Sequence, residues 1–469
     1  MTMSVLAENP DLSFRAALRR LDAAGLLLKV EDEVDWNLEL TSIMYEQPER
    51  AMLFKHVKGY SIPVVGNFMG SEENVLAICQ KNVAELGRFI SEGMANPMPP
   101  RKVESGPVQE VFHDNPDLTK LLPLPKYAPD DGDRYISAGV VIAKDAQTGV
   151  YNASYHRFMH IEQNRLLIKI DLGRHLRILW ERAKSNGKSL PIAVVLGPNI
   201  GMLYAGAIMG AGLPMEMDEY HVASGIQGSP LELVDCKTVP LQVPAEAEVV
   251  LEGSISPDEE MEEGPFMEFI CLYSDVAPAP VTTINCLYHR KSPIWHVIST
   301  KESPNLYKHV REQAIMNAVK MAAPCVTDVA LTAGGLYRFQ LNIAVKKCSP
   351  ADEGYQRNAI YAAITAQKDL DLIIVVDDDI DIRNPADIEW ALATRWDASK
   401  GLILMPGSRG HEYVPISEDG VRTKVGIDAS LPYGFTKRHK RIQMPAADLS
   451  KYRTSLAPEF QDDFTLGRK

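Results

Sequence analysis

The sequence predicts a multidomain α+β protein: an N-terminal α/β domain, a strand-rich middle and a C-terminal α/β domain. Three observations carry this. The chain has 469 residues, which suits two or three domains. Helix and strand patterns alternate near both ends, as in layered α/β structure. Between them, over 106–303, the pattern turns to short apolar strands with one strong helix, which reads as a barrel or a sandwich. With 45% hydrophobic and 24% charged residues, the chain can bury sizeable cores.

Residues 13–24 place Phe14, Ala17, Leu18 and Leu21 at helical spacing behind Ser13, a suitable N-cap. Gly25 ends that helix, and 26–30 reads as a strand. A second helix is predicted at 37–46, strands at 52–57 and 62–65, and one long amphipathic helix from Ser71 to about 92. Pro97, Pro99 and Pro100 mark the exit from this first domain, 1–105, and 101–135 reads as an irregular connector with short strands.

In the middle domain, 106–303, strands are predicted at 138–144, 150–160, 165–171, 191–196, 247–252, 268–273, 281–288 and 294–299, with a helix at 174–186. From Pro304 the α/β pattern returns, giving a third domain at 304–436. Its helices are expected at 305–322, 355–367 and 385–395, and its strands at 326–331, 339–345, 372–376 and 402–405. These strands are continuously apolar, as in a sheet covered on both faces. The tail, 437–469, is charged and broken by Pro445 and Pro458, and is expected to pack on the body or on a subunit neighbour.

The net charge of −13 argues against nucleic-acid binding by overall electrostatics, though a local basic pocket for a small anion remains open. Six scattered cysteines without a CxxC pair point to a reduced, cytoplasmic setting. No apolar run has transmembrane length, and the N-terminus, with Glu8 and Asp11, does not read as a signal peptide.

The stretch Glu262-Glu263-Gly264-Pro265-Phe266-Met267-Glu268 carries the most chemistry. Gly264-Pro265 breaks regular structure, so the turn can aim Glu263 and Glu268 into one cavity. Phe266 and Met267 can keep water from one carboxylate. Desolvation raises a carboxylate pKa and a cation lowers it, so an acid and a base can coexist near neutrality. Taken alone, the same residues also read as a solvated turn.

Other candidates lie far away in sequence. Tyr151-Asn152-Ala153-Ser154-Tyr155-His156-Arg157 sits in the strand-rich domain. An arginine buried there needs an anionic partner, and its planar fork suits a carboxylate; exposed on a strand, it would need none. His175 follows Gly173-Arg174 at a helix start, and Glu219 precedes Tyr220. Asn152, His175 and Glu219 can form a mixed N/O set that favours Mn²⁺ or Mg²⁺, or can be capping and surface residues. Gly206, Gly210 and Gly212 do not form a dinucleotide fingerprint, and there is no GxSxG, HExxH or P-loop. Asp377-Asp378-Asp379-Ile380-Asp381 ends a strand and is a rival metal site of nucleotide-sugar type, or a structural cap.

In this order the elements resemble the UbiD family of prenylated-FMN-dependent (de)carboxylases over nearly the whole length. The family's Asn-x4-Arg falls on Asn152 and Arg157, its metal-binding histidine on His175 and its metal-binding glutamate on Glu219. Glu232 within Gly228–Val234, the run from Val243 to Gly253, and Trp390 to Arg395 after the acidic strand end resemble family signatures too. The paired glutamates of E-G-P-x-x-E fall on Glu263 and Glu268. Met267 stands where the family usually has Gly, which narrows the pocket or shifts Glu268. The phosphate-contacting lysine has Lys368 as its best counterpart, with shorter spacing to the acidic strand end. The segment around Lys346-Lys347 and Ala351–Gly354 is nearer the aromatic and heteroaromatic acid branch.

The resemblance implies a central split β-barrel of flavin-reductase type between the two α/β domains. It implies prenylated FMN, Mn²⁺ and K⁺ as cofactors, cofactor supply by an FMN prenyltransferase, and a homodimer or higher homo-oligomer. Asn152, Ala153, Ser154, Tyr155, His156, Arg157, Arg174, His175, Glu219 and Lys368 would then meet the cofactor. The implied reaction is reversible, non-oxidative decarboxylation of an aromatic, heteroaromatic or α,β-unsaturated acid. The substrate adds to the modified flavin, CO₂ leaves, and a glutamic acid protonates the carbon. Glu268 takes the acid/base role, Arg157 holds the substrate carboxylate, and Glu263 orients Arg157. The pocket is expected to draw on His296 and 331–336 as well. A flavin-binding reductase or sensor is the alternative. One difficulty stands: residues five apart face opposite sides of a regular strand, so Asn152 and Arg157 can share a cofactor only if a bulge intervenes or the flavin wraps the strand.

Overall fold

The computed structural model describes residues 10–208, 214–417 and 420–435, with 441, 442, 444, 445 and 448 of the tail. The expected tail contact of 437–469 therefore falls almost wholly outside the described residues. Among them, no helix is long and apolar enough to cross a membrane.

Near the N-terminus, Phe14–Ala23 is a helix whose Ser13 cap accepts the Ala16 N–H. It buries Phe14, Ala17, Leu18 and Leu21, the stripe that the spacing predicts. The expected single helix from 71 to 92 is two helices, Glu72–Cys79 and Val83–Ala95. Gln80 turns left-handed at φ 50°, and Asn82 opens the second helix through a capping box with Glu85. Apolar spacing persists across that break, so periodicity alone misses it. A four-stranded sheet runs in the order Leu27–Val34, Ala51–Val57, Val64–Gly66, Trp295–His296. Its last strand arrives from much later in the chain and ties the regions together.

The central sheet has nine strands. Its path is Tyr135–Ile136, Phe158–Glu162, Arg165–Ile168, Ala277–His289, Val249–Glu263, Leu190–Leu196, Val140–Lys144, Tyr151–Tyr155, with Val111–Asp114 beside Ala277–His289. Hydrogen bonding follows this open path and does not close into a barrel among the described residues. The split barrel implied by the resemblance is not confirmed; the described residues show an open hydrogen-bonded path within a mixed α+β fold.

The expected strand at 150–160 is also corrected. Tyr151–Tyr155 pairs with Val140–Lys144, whereas Phe158–Glu162 pairs with Arg165–Ile168 and Tyr135–Ile136. These partners lie at opposite ends of the sheet, and only His156 and Arg157 join them. The strand therefore ends before His156 and restarts after Arg157, which is neither of the two expected resolutions, a bulge or a flavin wrapped around one continuous strand. Residues 268–273 form turns and a bridge, not a strand, and Val249–Glu263 continues right up to the Gly-Pro turn. Two helices within the strand-rich region, Ile200–Ala207 and Glu219–Gln227, were not expected. All eight residues of the first are buried. A helix covered all round has no polar face to reveal its period.

The C-terminal sheet runs Val326–Leu331, Gln340–Val345, Leu372–Asp377, Val421–Asp428, Leu402–Arg409. Separate buried clusters cover its two faces, around Ile343 and Val375 on one and Ile374 and Val376 on the other. The acidic strand end serves this scaffold. Arg395 Nη1 donates to Asp377 at 2.8 Å and to Asp379 at 2.7 Å, and Nη2 donates to Asp379 at 2.8 Å. Lys346 lies 3.3 Å from Asp378. Carboxylates held this way match the structural reading of the cluster.

Candidate active site

Glu263 ends the long strand and Glu268 follows the turn, so the strand aims one carboxylate and the turn the other. Gly264 has φ +98° and precedes a cis peptide to Pro265. That φ favours glycine. The turn is pinned from behind: Asp131 accepts the N–H groups of Met267, Tyr127 and Ala128 at 2.9, 3.1 and 2.9 Å, and Gly132 N–H donates to the Pro265 carbonyl at 2.8 Å. A Cβ at Gly132 would sit 2.5 Å from the Gly264 carbonyl oxygen, so glycine is required there.

Arg157 joins the two acids. Its Nε and Nη2 donate to the two oxygens of Glu263, both at 2.9 Å, and Nη1 donates to Glu268. Nη2 also donates to Ser274 Oγ at 3.1 Å, and the guanidinium lies 4.8 Å from the Phe266 ring centre. Glu263 is fully buried, and Arg157 and Glu268 nearly so. Burial opposes the arginine's charge, but Glu263 and Glu268 outweigh it and hold its pKa above the ordinary range. Burial raises the pKa of Glu268, with Arg157 pulling the other way. The two glutamates thus differ: Glu263 is locked in a bidentate pair, while Glu268 is biased towards its protonated form.

A second, small crevice brings Asn152, His175 and Glu219 together, beside Asp145 and Met217. Glu219 starts its helix, and Asp218 caps that helix and accepts Tyr151 N–H at 3.2 Å, tying it to the Asn152 strand. Burial raises Glu219 to about 8, and its Oε2 meets no hydrogen-bond donor. Burial and the neighbouring Arg174 lower His175, favouring the neutral imidazole that binds metals. An orphaned carboxylate oxygen, a neutral imidazole and an amide suit a divalent cation. No group of three His, Cys, Asp or Glu side chains is placed to hold a metal among the described residues, so a metal held here would draw on Asn152 as well.

A hydrogen-bond chain runs from the crevice towards Arg157. Asn152 Nδ2 donates to Ser154 Oγ at 3.1 Å, Ser154 meets His156 Nε2 at 3.0 Å, and His156 Nδ1 meets the Lys169 carbonyl at 2.8 Å. The carbonyl assigns the proton to Nδ1, so Ser154 donates to Nε2. Asn152 is then oriented with its amide oxygen free for a cation. Burial lowers His156 to about 4, keeping it neutral.

The main cavity, about 190 Å³, is lined by Tyr155, His156, Arg157, Arg174 and Glu268 from the expected set. Tyr155 Oη and Thr300 Oγ1 lack hydrogen-bond partners there. Ala153 is buried in its strand and its N–H lies against the Glu219 carboxylate. Lys368 lies outside both cavities, half exposed, with Nζ 3.8 Å from Glu412. His296 is also outside, buried between Phe14 and Phe68, and 331–336 do not line the cavity. Sequence reasoning missed Lys169, Asp171, Phe269, Tyr307, Arg338, His411 and Tyr413. The last two lie in an irregular segment with no motif. Tyr413 Oη donates to Asp171 at 2.8 Å, bringing the C-terminal domain onto the central sheet.

Known proteins resemble this chain in sequence and fold. Models of the 3-octaprenyl-4-hydroxybenzoate carboxy-lyase N-terminal, Rift-related and C-terminal domains match residues 18–93, 101–303 and 305–429. An anhydromevalonate phosphate decarboxylase of Methanothermobacter thermautotrophicus is 35% identical, over 88% of this chain and 96% of that protein. Gallate decarboxylase of Lactiplantibacillus plantarum is 29% identical, over 90% and 94%. The UbiD-class enzyme HmfF of Pelotomaculum thermopropionicum, solved with FMN, superimposes with a TM-score of 0.90 at 35% identity, covering 94% of this chain and all of that one. An evolved dimeric form of HmfF was solved with prFMN. With its three domains matched in order, the chain belongs to the UbiD family and is a decarboxylase, a carboxy-lyase of that family.

Proposed function

We propose that the protein is a reversible, non-oxidative decarboxylase of an aromatic, heteroaromatic or α,β-unsaturated carboxylic acid that uses prenylated FMN. The observation that carries this is Arg157 bound to both Glu263 and Glu268 at one cavity wall. Asn152, His175 and Glu219 would hold Mn²⁺ against the cofactor phosphate, which answers the orphaned oxygen of Glu219. K⁺ is retained on the family resemblance. Tyr155, His156 and Arg174 would meet the flavin, and Lys368 is set aside as a contact because Arg174 and Lys169 line the cavity and it does not.

The modified flavin supplies the electron sink that side chains lack when CO₂ leaves an sp² carbon. The chain's own residues do the rest. Arg157 offers Nη1, the donor it spends on Glu268, to the substrate carboxylate. Glu263 keeps the guanidinium from turning. Glu268, released and neutral, then holds the proton that the product carbon takes. Phe266, packed 4.4 Å from Tyr135 by ring centres, keeps water from that proton.

HmfF in complex with FMN and in its prFMN form supports the cofactor. The relatives named for anhydromevalonate phosphate and gallate show that the family spans different acids, so a panel is needed. The dimeric HmfF form supports a homo-oligomer, to be checked by sedimentation. The protein should be made with and without an FMN prenyltransferase and assayed for CO₂ release from unsaturated acids. Turnover should appear only with the prenyltransferase. Equal turnover with unmodified FMN, or NAD(P)H consumption without need of Glu268, would favour the flavin reductase or sensor reading.

A further inference from the structure

Beyond Glu268 the cavity wall continues to Phe269 and reaches the C-terminal domain. There the Arg338 guanidinium lies 4.7 Å from the Phe269 ring centre. Arg338 is 9% exposed, so it is a buried cation. Its Nε donates to Asp369 Oδ2 at 2.7 Å. The terminal amino groups, Nη1 and Nη2, have no acceptor among the described residues, and the side chain lines the cavity. A guanidinium pinned at Nε keeps two parallel donors for one planar or tetrahedral anion.

His411 stands beside it, at 5.5 Å from Phe269 by ring centres. Its Nδ1 accepts the Tyr413 N–H at 3.2 Å. That bond leaves the proton on Nε2, which also meets no acceptor among the described residues. Two independent side chains therefore line one cavity with donors that have no acceptor among the described residues. Donors that face a cavity without a protein acceptor suit a polar guest there.

The guest is anionic. Lys169, Arg174 and Arg338 line the cavity with Arg157, against Asp171 and Glu268. Arg157 is already matched by two glutamates. Arg174 adjoins His175 of the crevice in the chain, whereas Arg338 lies against Phe269, the residue after Glu268, where substrate would react. We infer that the substrate carries a second anionic group, a carboxylate or a phosphate, held by Arg338 and His411 beyond Phe269. This rests on the decarboxylase reading of the same cavity.

The test is equilibrium binding to the flavin-loaded protein by calorimetry, with turnover measured alongside. Matched ligands are benzoate, benzene-1,4-dicarboxylate and 4-carboxyphenyl phosphate, and the acyclic pair but-2-enoate and pent-2-enedioate. In at least one series the dianion should bind about tenfold tighter or more, the scale of a charge-assisted contact. Arg338→Gln should abolish the preference, and Arg338→Lys should keep part of it. His411→Phe, which retains the aromatic packing, should weaken it, and covers the case in which Arg338→Gln fails to fold. Tighter binding of the phosphate than the dicarboxylate assigns the guest as phosphate, and the reverse assigns carboxylate. No dianion preference in either series overturns the inference, as does a preference that survives Arg338→Gln or, should that variant not fold, His411→Phe. A preference that follows Arg338 leaves the inference standing even if none of these probes turns over; the decarboxylase reading of the cavity fails separately, if Glu268→Gln leaves turnover of the acid panel unchanged.

Discussion

Arg157 grips Glu263 through two parallel hydrogen bonds, Nε to Oε1 and Nη2 to Oε2, both 2.9 Å long. This leaves Nη1 for Glu268 and makes the two glutamates unequal. One is a fixed counter-ion, and the other is free to exchange its partner and its proton.

Glu268→Gln keeps the shape and removes the exchangeable acid. Turnover is expected to fall about 10²-fold or more, the usual scale of general acid catalysis. Solvent deuterium should no longer enter the product at the former carboxyl carbon, as read by NMR in D₂O. Undiminished exchange would make Glu263 the next candidate. Because burial raises the Glu268 pKa, the acid form is present below that raised value and is lost as pH rises through it. The wild-type rate should therefore decline on the alkaline side. Arg157→Ala should weaken acid binding as well as turnover, since the anion loses its partner.

Metal and cofactor should leave together. In His175→Ala and Glu219→Ala, metal content by mass spectrometry and flavin absorbance are both expected to drop several-fold or more. Full flavin occupancy in both variants would mean that this crevice does not bridge to the cofactor.

Glu302 offers a pH signature outside the proposed chemistry. It is buried, its Oε1 accepts Met69 N–H at 2.7 Å and its Oε2 has no partner. Burial raises its pKa to about 8. The folded state then holds a proton that the unfolded chain releases near the ordinary value of about 4.3. Between those values the native form binds more protons, so stability falls as pH rises, by up to about 1.4 kcal/mol per pH unit for one group. Glu302→Gln mimics the protonated acid and should flatten that slope in denaturant titrations at pH 5.5 to 8. An unchanged slope would show that Glu302 does not carry it.

Met267→Gly places the family's usual residue beside Glu268. The backbone N–H that donates to Asp131 is retained. The pH profile or the range of acid sizes turned over should shift, while the melting temperature changes by only a few degrees. A large loss of stability with unchanged pH profile and substrate range would show that Met267 serves packing alone.

The sequence by itself determined the α/β ends, the strand-rich middle, the Ser13 cap and the two separated residue sets. These are legible because periodicity, capping and short motifs are local properties of the chain. The open path of the central sheet was not legible, because pairing joins strands as distant in the chain as Val111 and His289. Nor was the break at His156 and Arg157, where apolar strand character continues on both sides while the partner strands change. The helix Ile200–Ala207 went unseen because all its faces are buried. Asn152, His175 and Glu219 are marked by residue type and resemblance, but only the fold brings them around one crevice. Arg338 and His411 had no motif to mark them. They reach the cavity only because the C-terminal domain folds against Phe269, and tertiary packing alone decides which donors face a cavity.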